Sequence, residues 1–220
     1  MLEQAIVDGM ARRHARSRET RAAILAAAEQ SFAKCGLDGA RTDAIAAAAG
    51  VNKALLYYYF KSKDGLYTAV VEDHFREFNR QALEVLAAPG AARSVLLRYV
   101  GLYFDFISAR QRYAALYQQL MTARGKPLER LVRKYFVPRS NAFHRLLERG
   151  IRDGEFRNID PRHAAISIVG LIVFYFSAAP VLQLLGHADT YGRANLRRRK
   201  QEVLDFIRYG LFLEPQAHVP

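Results

Sequence analysis

The sequence predicts an all-α protein, with a small three-helix unit followed by a larger helical domain. Three observations carry that reading. Apolar residues recur at helical spacing through long segments rich in Ala, Leu, Gln and Arg. Segments open at Asn, Ser or Asp and stop at Gly or Pro, the residues that cap and break helices. Alternating β-branched runs bounded by hairpin turns are hard to find. The 220 residues are 51% hydrophobic and 25% charged, which suits a globular chain of one large or two modest domains.

The first helix is expected from about Ser17 to Cys35, with Ile24, Leu25, Ala28 and Phe32 as its apolar stripe and Gly36 as its stop. Thr42 opens a short helix to Ala49, ended by Gly50. Asn52 caps the stretch "VNKALLYYYF", residues 51–60, and Ser62 in "KSKDGL" caps a helix reaching about Leu86. The run "AAPGAA" at 87–92 is a break. Further helices are expected at about 91–109, 111–124, 127–152, 161–186 and 193–213. Asp160-Pro161 is a start signal, an acidic cap followed by proline at the first helical position. Pro138 should kink or break the 127–152 helix.

Charge narrows the partners. The formal net charge is +12 and the isoelectric point about 10.0, a surplus that favours DNA, RNA or an acidic membrane surface without choosing among them. Residues 12–63 hold ten Lys/Arg against four Asp/Glu, so half the excess lies there. A single cysteine, Cys35, excludes an intrachain disulfide and points to a reducing cytoplasm. It could sense redox state, but a buried inert thiol is the expectation. No secretory leader is evident. The uncharged run 164–186 is long enough to span a bilayer, yet Ser167, Ser177, Pro180 and Gln183 argue against it. A helix buried by its own subunit and a twin is equally apolar all round.

The segment "TDAIAAAAGVNKALLYYYFKSKDGL" reads as two short helices joined by a tight turn. Ala46 is small where the helices cross, Gly50 permits positive φ at the turn, and Leu56 anchors the second helix. On a helical wheel, Leu56, Tyr59 and Phe60 fall on one side. Ala54, Tyr57, Tyr58 and Lys61 fall on the other, with Leu55 at the border. Phenols beside lysines on the outer face suit a helix entering the major groove, where hydroxyls meet phosphates and rings meet sugar or thymine methyls.

The run Ile24-Leu25, Ala27-Ala28, Phe32, Gly36, Thr42, Ile45-Ala46, Ala49-Gly50-Val51, Leu56-Tyr57, Phe60, Lys63 and Leu66 resembles the N-terminal domain of the TetR family of bacterial transcriptional repressors. The likeness covers about residues 19–70. It implies a helix-turn-helix DNA-binding head plus a larger helical ligand-binding and dimerisation domain, in a homodimer that binds a double-stranded operator. Carried over by position, it assigns DNA contacts to Arg41, Thr42, Lys53, Ala54, Leu55, Tyr57, Tyr58, Tyr59 and Lys63. Thr42 would also cap its helix, and Tyr59 stands where histidine is usual. Asp43 would repel phosphate and is excluded.

The expected divisions are a basic N-terminal arm (1–18), the head (19–66) and an effector-binding and dimerisation domain (67–220). The arm's "RRHARSRETR", residues 12–21, holds five arginines and one acid and is expected to lie flexibly on the DNA backbone or in the minor groove. For the cavity wall the expected residues are Tyr103, Phe106, Tyr117, Met121, Phe143 and Ile172, giving a small, mainly apolar or aromatic effector. For the dimer seam they are Ile168, Leu171, Tyr175, Leu182, Leu204, Ile207 and Leu211. No histidine pairing, P-loop, GxGxxG or G-x-S-x-G appears, so no enzyme, metal or cofactor is expected. The alternative is a helical nucleic-acid-binding or membrane-associated protein without effector control.

Overall fold

The computed structural model describes residues 2–110, 116, 120, 126–186 and 189–213. The chain divides into two compact units, Met1–His74 and Phe75–Pro220.

The first unit begins with α1, Leu2–Gly39. The sequence reading places a flexible arm here; the structure extends the helix back to Leu2 instead. Ala, Gln, Glu, Met and Arg dominate this stretch, all strong helix formers. Arg12, Arg13, Arg16 and Arg18 therefore stand exposed along a rod. The helix breaks at Gly36 (φ 71°, ψ 178°), a conformation that only glycine adopts without cost. Cys35, expected to be buried, is exposed. The backbone turns at the next residue, and its neighbour there is Gly39, which has no side chain to cover it.

Helices α2 (Thr42–Ala48) and α3 (Lys53–Phe60) follow, then α4 (Lys63–Leu86), which starts in the first unit and ends in the second. Ile24, Ala28 and Phe32 of α1 close on Ile45 and Ala46 of α2, Leu56 and Phe60 of α3, and Leu66 of α4. Phe32 meets Tyr67 edge-on at 5.2 Å.

In the second unit, α5 (Ala92–Ser108) is the central helix. It packs against α7 (Val137–Arg152), α8 (Pro161–Ser177) and α10 (Arg193–Leu211). Its buried face carries Val95, Leu96, Tyr99, Val100, Tyr103, Phe104, Phe106 and Ile107. The expected 111–124 helix lies outside the described residues. The expected 127–152 helix is divided into α6 (Lys126–Leu131), a π-helical turn at Val132–Phe136, and α7. Pro138 lacks an N–H and crowds the preceding turn, so the ladder loosens just before it. Asn79 of α4 donates to the Tyr135 carbonyl in that turn, at 2.6 Å.

The expected 161–186 helix also divides. It stops at Ser177 and resumes as α9 (Ala179–Leu184), because Pro180 in the first turn of α9 cannot donate back into α8. Asp160 caps α8 as expected, accepting from Arg162 and His163 N–H at 2.7 and 3.3 Å. Among the described residues, no helix is long and apolar enough to cross a membrane.

No side chain of its own caps α5. Instead Glu155 reaches from the loop after α7 and accepts the N–H groups of Ala92 and Arg93, at 2.8 and 2.9 Å. Burial alone would push this carboxyl up. The two N–H donors and the Arg93 guanidinium outweigh that and hold it below the usual carboxylate range. Its contribution is present above the unfolded pKa and lost as pH falls through the lower folded value. Glu155→Gln is expected to cost about 1 kcal/mol at neutral pH. The gap between wild type and variant should close below roughly pH 4, as read by urea unfolding across pH.

Two glycines in the first unit make a second expectation. Gly50 has φ 68° with open space around it, so Gly50→Ala should cost about 1 kcal/mol from backbone strain alone. A Cβ on Gly65 would overlap the Phe60 carbonyl, so Gly65→Ala should cost more, about 3 kcal/mol. Thermal unfolding of the two variants gives the order.

Candidate functional site

The chain from α2 to α3 is held at each joint by local chemistry. Gly50 supplies the positive φ at the turn, and the Val51 N–H returns to the Ala46 carbonyl at 3.0 Å. Asn52 then caps α3, its Oδ1 accepting the Leu55 N–H at 2.8 Å. At the far end Lys61 adopts φ 65°, ψ −37°, and Ser62 N–H donates to the Phe60 carbonyl at 2.7 Å. That is a strained γ-turn on a non-glycine residue. The Ser62 hydroxyl accepts the Gly65 N–H at 2.9 Å and caps α4 as expected.

With α3 held at both ends, its side chains sort themselves. Leu56 and Phe60 are buried, while Lys53 and Ala54 are exposed. Tyr58 is 69% exposed, and Lys61 lies 5.5 Å over its ring. Leu55, Tyr57 and Tyr59 are half-buried. Tyr57 stands less clear than the wheel suggests, its hydroxyl 3.4 Å from that of Thr42. Tyr59 Oη and Ser17 Oγ are 2.9 Å apart, which ties α3 to α1. Thr42 does not cap α2: it is the first helical residue, and Arg41 occupies the cap position in extended backbone without a capping side chain. Lys63 donates to the carbonyls of Asp38 and Ala40 at 3.2 and 3.4 Å, so its ammonium closes the end of α1.

Asp43 pairs with Lys53 at 2.8 Å, both about half exposed. The hydrogen bond and charge of Lys53 hold the Asp43 carboxyl below its ordinary value, and Asp43 raises the Lys53 ammonium in turn. An acid on this face is thus neutralised internally. Sequence patterning excludes Asp43 from the contacts but does not reveal its partner, because ten residues and a turn separate the two.

The second unit holds a cavity of about 430 Å³ between α5, α7 and α8. Tyr99, Tyr103, Phe136 and Phe143 form aromatic walls, with Arg139, His144 and Arg162 among them. Of the expected wall residues, Tyr103 and Phe143 line it. Phe106 and Ile172 are buried elsewhere in the core, Phe106 packing on Phe78 at 4.9 Å. Tyr117 and Met121 lie outside the described residues. Arg139 escaped the sequence reading, since nothing in a charge pattern marks an arginine that is only 7% exposed.

The residues expected at a dimer seam divide by burial. Ile168, Ile207 and Leu211 are sealed within the second unit, so they build its core and not an outer seam. Leu171, Tyr175, Leu182 and Leu204 are half-buried. Exposed apolar groups on these elements include Ile166 and Phe174 on α8, Val181, Leu184 and Leu185 at α9, and Phe206 and Tyr209 on α10. Helical spacing found these helices but not which of their residues turn inward.

A helix-turn-helix head with an exposed, lysine-flanked second helix, carried beside an all-helical domain with its own cavity, defines a DNA-binding transcriptional regulator of the helix-turn-helix class. Comparisons with known proteins agree. Residues 24–70 match the model for bacterial regulatory proteins of the tetR family, and residues 93–207 match the tetracyclin repressor-like C-terminal domain. The chain belongs to the tetR family.

Among relatives, the transcriptional regulator RutR of Escherichia coli is 28% identical over 200 residues, covering 86% of this chain and 89% of RutR. The transcriptional repressor NicS of Pseudomonas putida is 30% identical over 166 residues, covering 72% and 76%. The solved structure of the regulator FadR from Bacillus subtilis, in complex with stearoyl-CoA, superposes with a TM-score of 0.67 at 21% identity, covering 84% and 96%. These relatives are regulators and not enzymes.

The ion pair on the outer face gives a test. Asp43→Asn should free Lys53 for phosphate. Affinity for duplex DNA should rise several-fold, and the slope of log K against log salt should steepen by about one unit. Fluorescence anisotropy across a salt series measures both.

Proposed function

We propose that the protein is a homodimeric repressor that binds a palindromic operator through α3 and is released by a small, mainly apolar effector in the α5–α7–α8 cavity. The observation that carries the reading is Tyr58, 69% exposed at the centre of α3 with Lys53 and Lys61 on either side. An exposed phenol flanked by lysines suits a surface that meets phosphates and base edges, and the +12 charge favours a polyanion. The residues proposed to touch DNA are Arg41, Lys53, Ala54, Leu55, Tyr57 and Tyr58. Thr42, Tyr59 and Lys63 have internal bonds that position the helices, and their contacts to phosphate would be secondary. The arginines of α1 would add a salt-dependent, sequence-independent component.

Effector control is a population shift: a ligand that binds one spacing of the paired heads more tightly than another changes operator affinity by that difference. The stearoyl-CoA complex of the B. subtilis regulator supports ligand binding by a protein of this fold. For dimerisation, the support is the set of exposed apolar side chains on α8, α9 and α10, Phe174 and Phe206 among them.

Two expectations follow from the one reading. In a gel-shift with DNA flanking its own gene, wild type should prefer that duplex over a scrambled one, and Tyr58→Ala should lose roughly tenfold in affinity with its fold intact. Equal binding of both duplexes by wild type would count against operator recognition. Phe174→Asp should convert a dimer to a monomer in sedimentation and abolish specific binding.

A further inference from the structure

We infer that Asp43 is a specificity-determining residue of the head: it keeps the Lys53 ammonium from phosphate and leaves it two donors for the O6 and N7 of a guanine. This rests on reading α3 as the helix that enters the major groove and adds the base that one of its residues selects. Three observations on the first unit carry it.

The first is where the pair stands. Lys53 is the first residue of α3 and Asp43 the second residue of α2, and their charged ends meet at 2.8 Å across the Gly50 turn. In helix-turn-helix proteins the N-terminal residues of the second helix are those that reach base edges. The Asn52 cap fixes the backbone from which Lys53 starts, its Oδ1 accepting the Leu55 N–H at 2.8 Å. Ala54, next in sequence, is exposed and carries only a methyl group, which leaves room for a base edge against the start of α3.

The second is the donor count. An ammonium has three donors. One goes to Asp43 Oδ1, and Lys53 makes no other hydrogen bond among the described residues. In the major groove guanine offers two neighbouring acceptors, O6 and N7. Adenine sets an N6–H donor beside its N7, which an ammonium cannot bond, and thymine offers only O4. One carboxylate oxygen and one guanine therefore satisfy all three donors. The hydrogen bond, and then the opposite charge, keep Asp43 ionised and Lys53 protonated, so the pair is intact at neutral pH.

The third is the sign of Asp43. A lysine on a flexible stem with no such partner takes a phosphate on any sequence. A carboxylate 2.8 Å from the ammonium repels a phosphate approaching the same group, whereas guanine O6 and N7 are uncharged acceptors. The repulsion thus separates the two kinds of acceptor. Arg41, exposed at the cap position of α2, is left as the nearby cation for phosphate. Asp43 touches no base in this arrangement; it is a positioning residue that acts through Lys53.

The test is in vitro selection from a randomised duplex library with the full-length protein, wild type and three variants at one salt concentration. Wild type should enrich a site with a guanine that it prefers over adenine at least about fivefold. Lys53→Met should lose that preference and identify the position. Asp43→Asn should enrich the same site with the preference at that position reduced to within about twofold, and should bind a scrambled duplex several-fold more tightly than wild type. Lys53→Met should show no such gain on scrambled DNA. Asp43→Glu, which keeps the carboxylate, should keep part of the preference.

Both members of the pair are about half exposed, and exposed ion pairs contribute little to stability, so the variants should fold, which circular dichroism checks. An undiminished guanine preference in Asp43→Asn overturns the inference. So does a position that depends on Lys53 but selects another base. A wild type that enriches a site whose every preference survives both Asp43→Asn and Lys53→Met overturns this inference alone and leaves operator recognition standing. A wild type that enriches no sequence overturns operator recognition itself, and this inference with it.

Discussion

The fold of the head depends on how little of α3 is spent on holding it. Only Leu56 and Phe60 are buried, each stabilising by about 2 kcal/mol at ordinary burial coefficients. An eight-residue helix is too short to persist on propensity. The remainder comes from its ends: the Asn52 cap, the Gly50 turn before it and the γ-turn at Lys61 after it. That division leaves the outer face of α3 with little structural duty beyond the Lys53–Asp43 pair. Lys53, Ala54 and Tyr58 can be whatever a groove requires, because no packing constraint speaks for them.

This division also explains what the sequence made legible. Helix ends announced themselves at Gly36, Gly50, Asn52, Ser62 and Asp160, since capping is local chemistry between residues two or three apart. The composite motif over 19–70 was legible for the same reason. Pairings across turns were hidden: Asp43 with Lys53, Tyr59 with Ser17, Lys63 with the end of α1, and Glu155 with the start of α5. A wheel drawn on one helix says which side is apolar, not which neighbour arrives to meet it. The same limit hid that Ile168, Ile207 and Leu211 are buried within the second unit. The N-terminal arm shows a different limit. Its charge suggested a flexible arm, but good helix formers dominate it and the helix simply continues.

Proline has consequences beyond local breaks. Pro180 turns one expected helix into two and so allows Val181, Leu184 and Leu185 to stand on a separate, exposed element. Pro138 forces the π-helical turn at 132–136, and a carbonyl there, that of Tyr135, takes a side-chain donor from Asn79. Once Asn79 is fixed through its amide nitrogen, its oxygen faces Arg139. A backbone defect thereby becomes the support for a buried cation.

That chain of contacts bears on where regulation would enter. Asn79 lies on α4, the one helix that begins in the head and ends in the second unit. On the proposed effector reading, a ligand that met Arg139 would alter the hydrogen bond that Arg139 makes to this helix, whereas one touching only Phe143 or Val169 would alter packing alone. Packing differences of one methyl group are worth only about 1 kcal/mol. Loss or gain of a charge-assisted bond to a buried group is worth more, about 1.5–3 kcal/mol, which is the size of typical allosteric coupling. On that reading a polar link from the cavity to α4 would be a better lever than the aromatic wall around it, and the aromatic wall the better source of affinity.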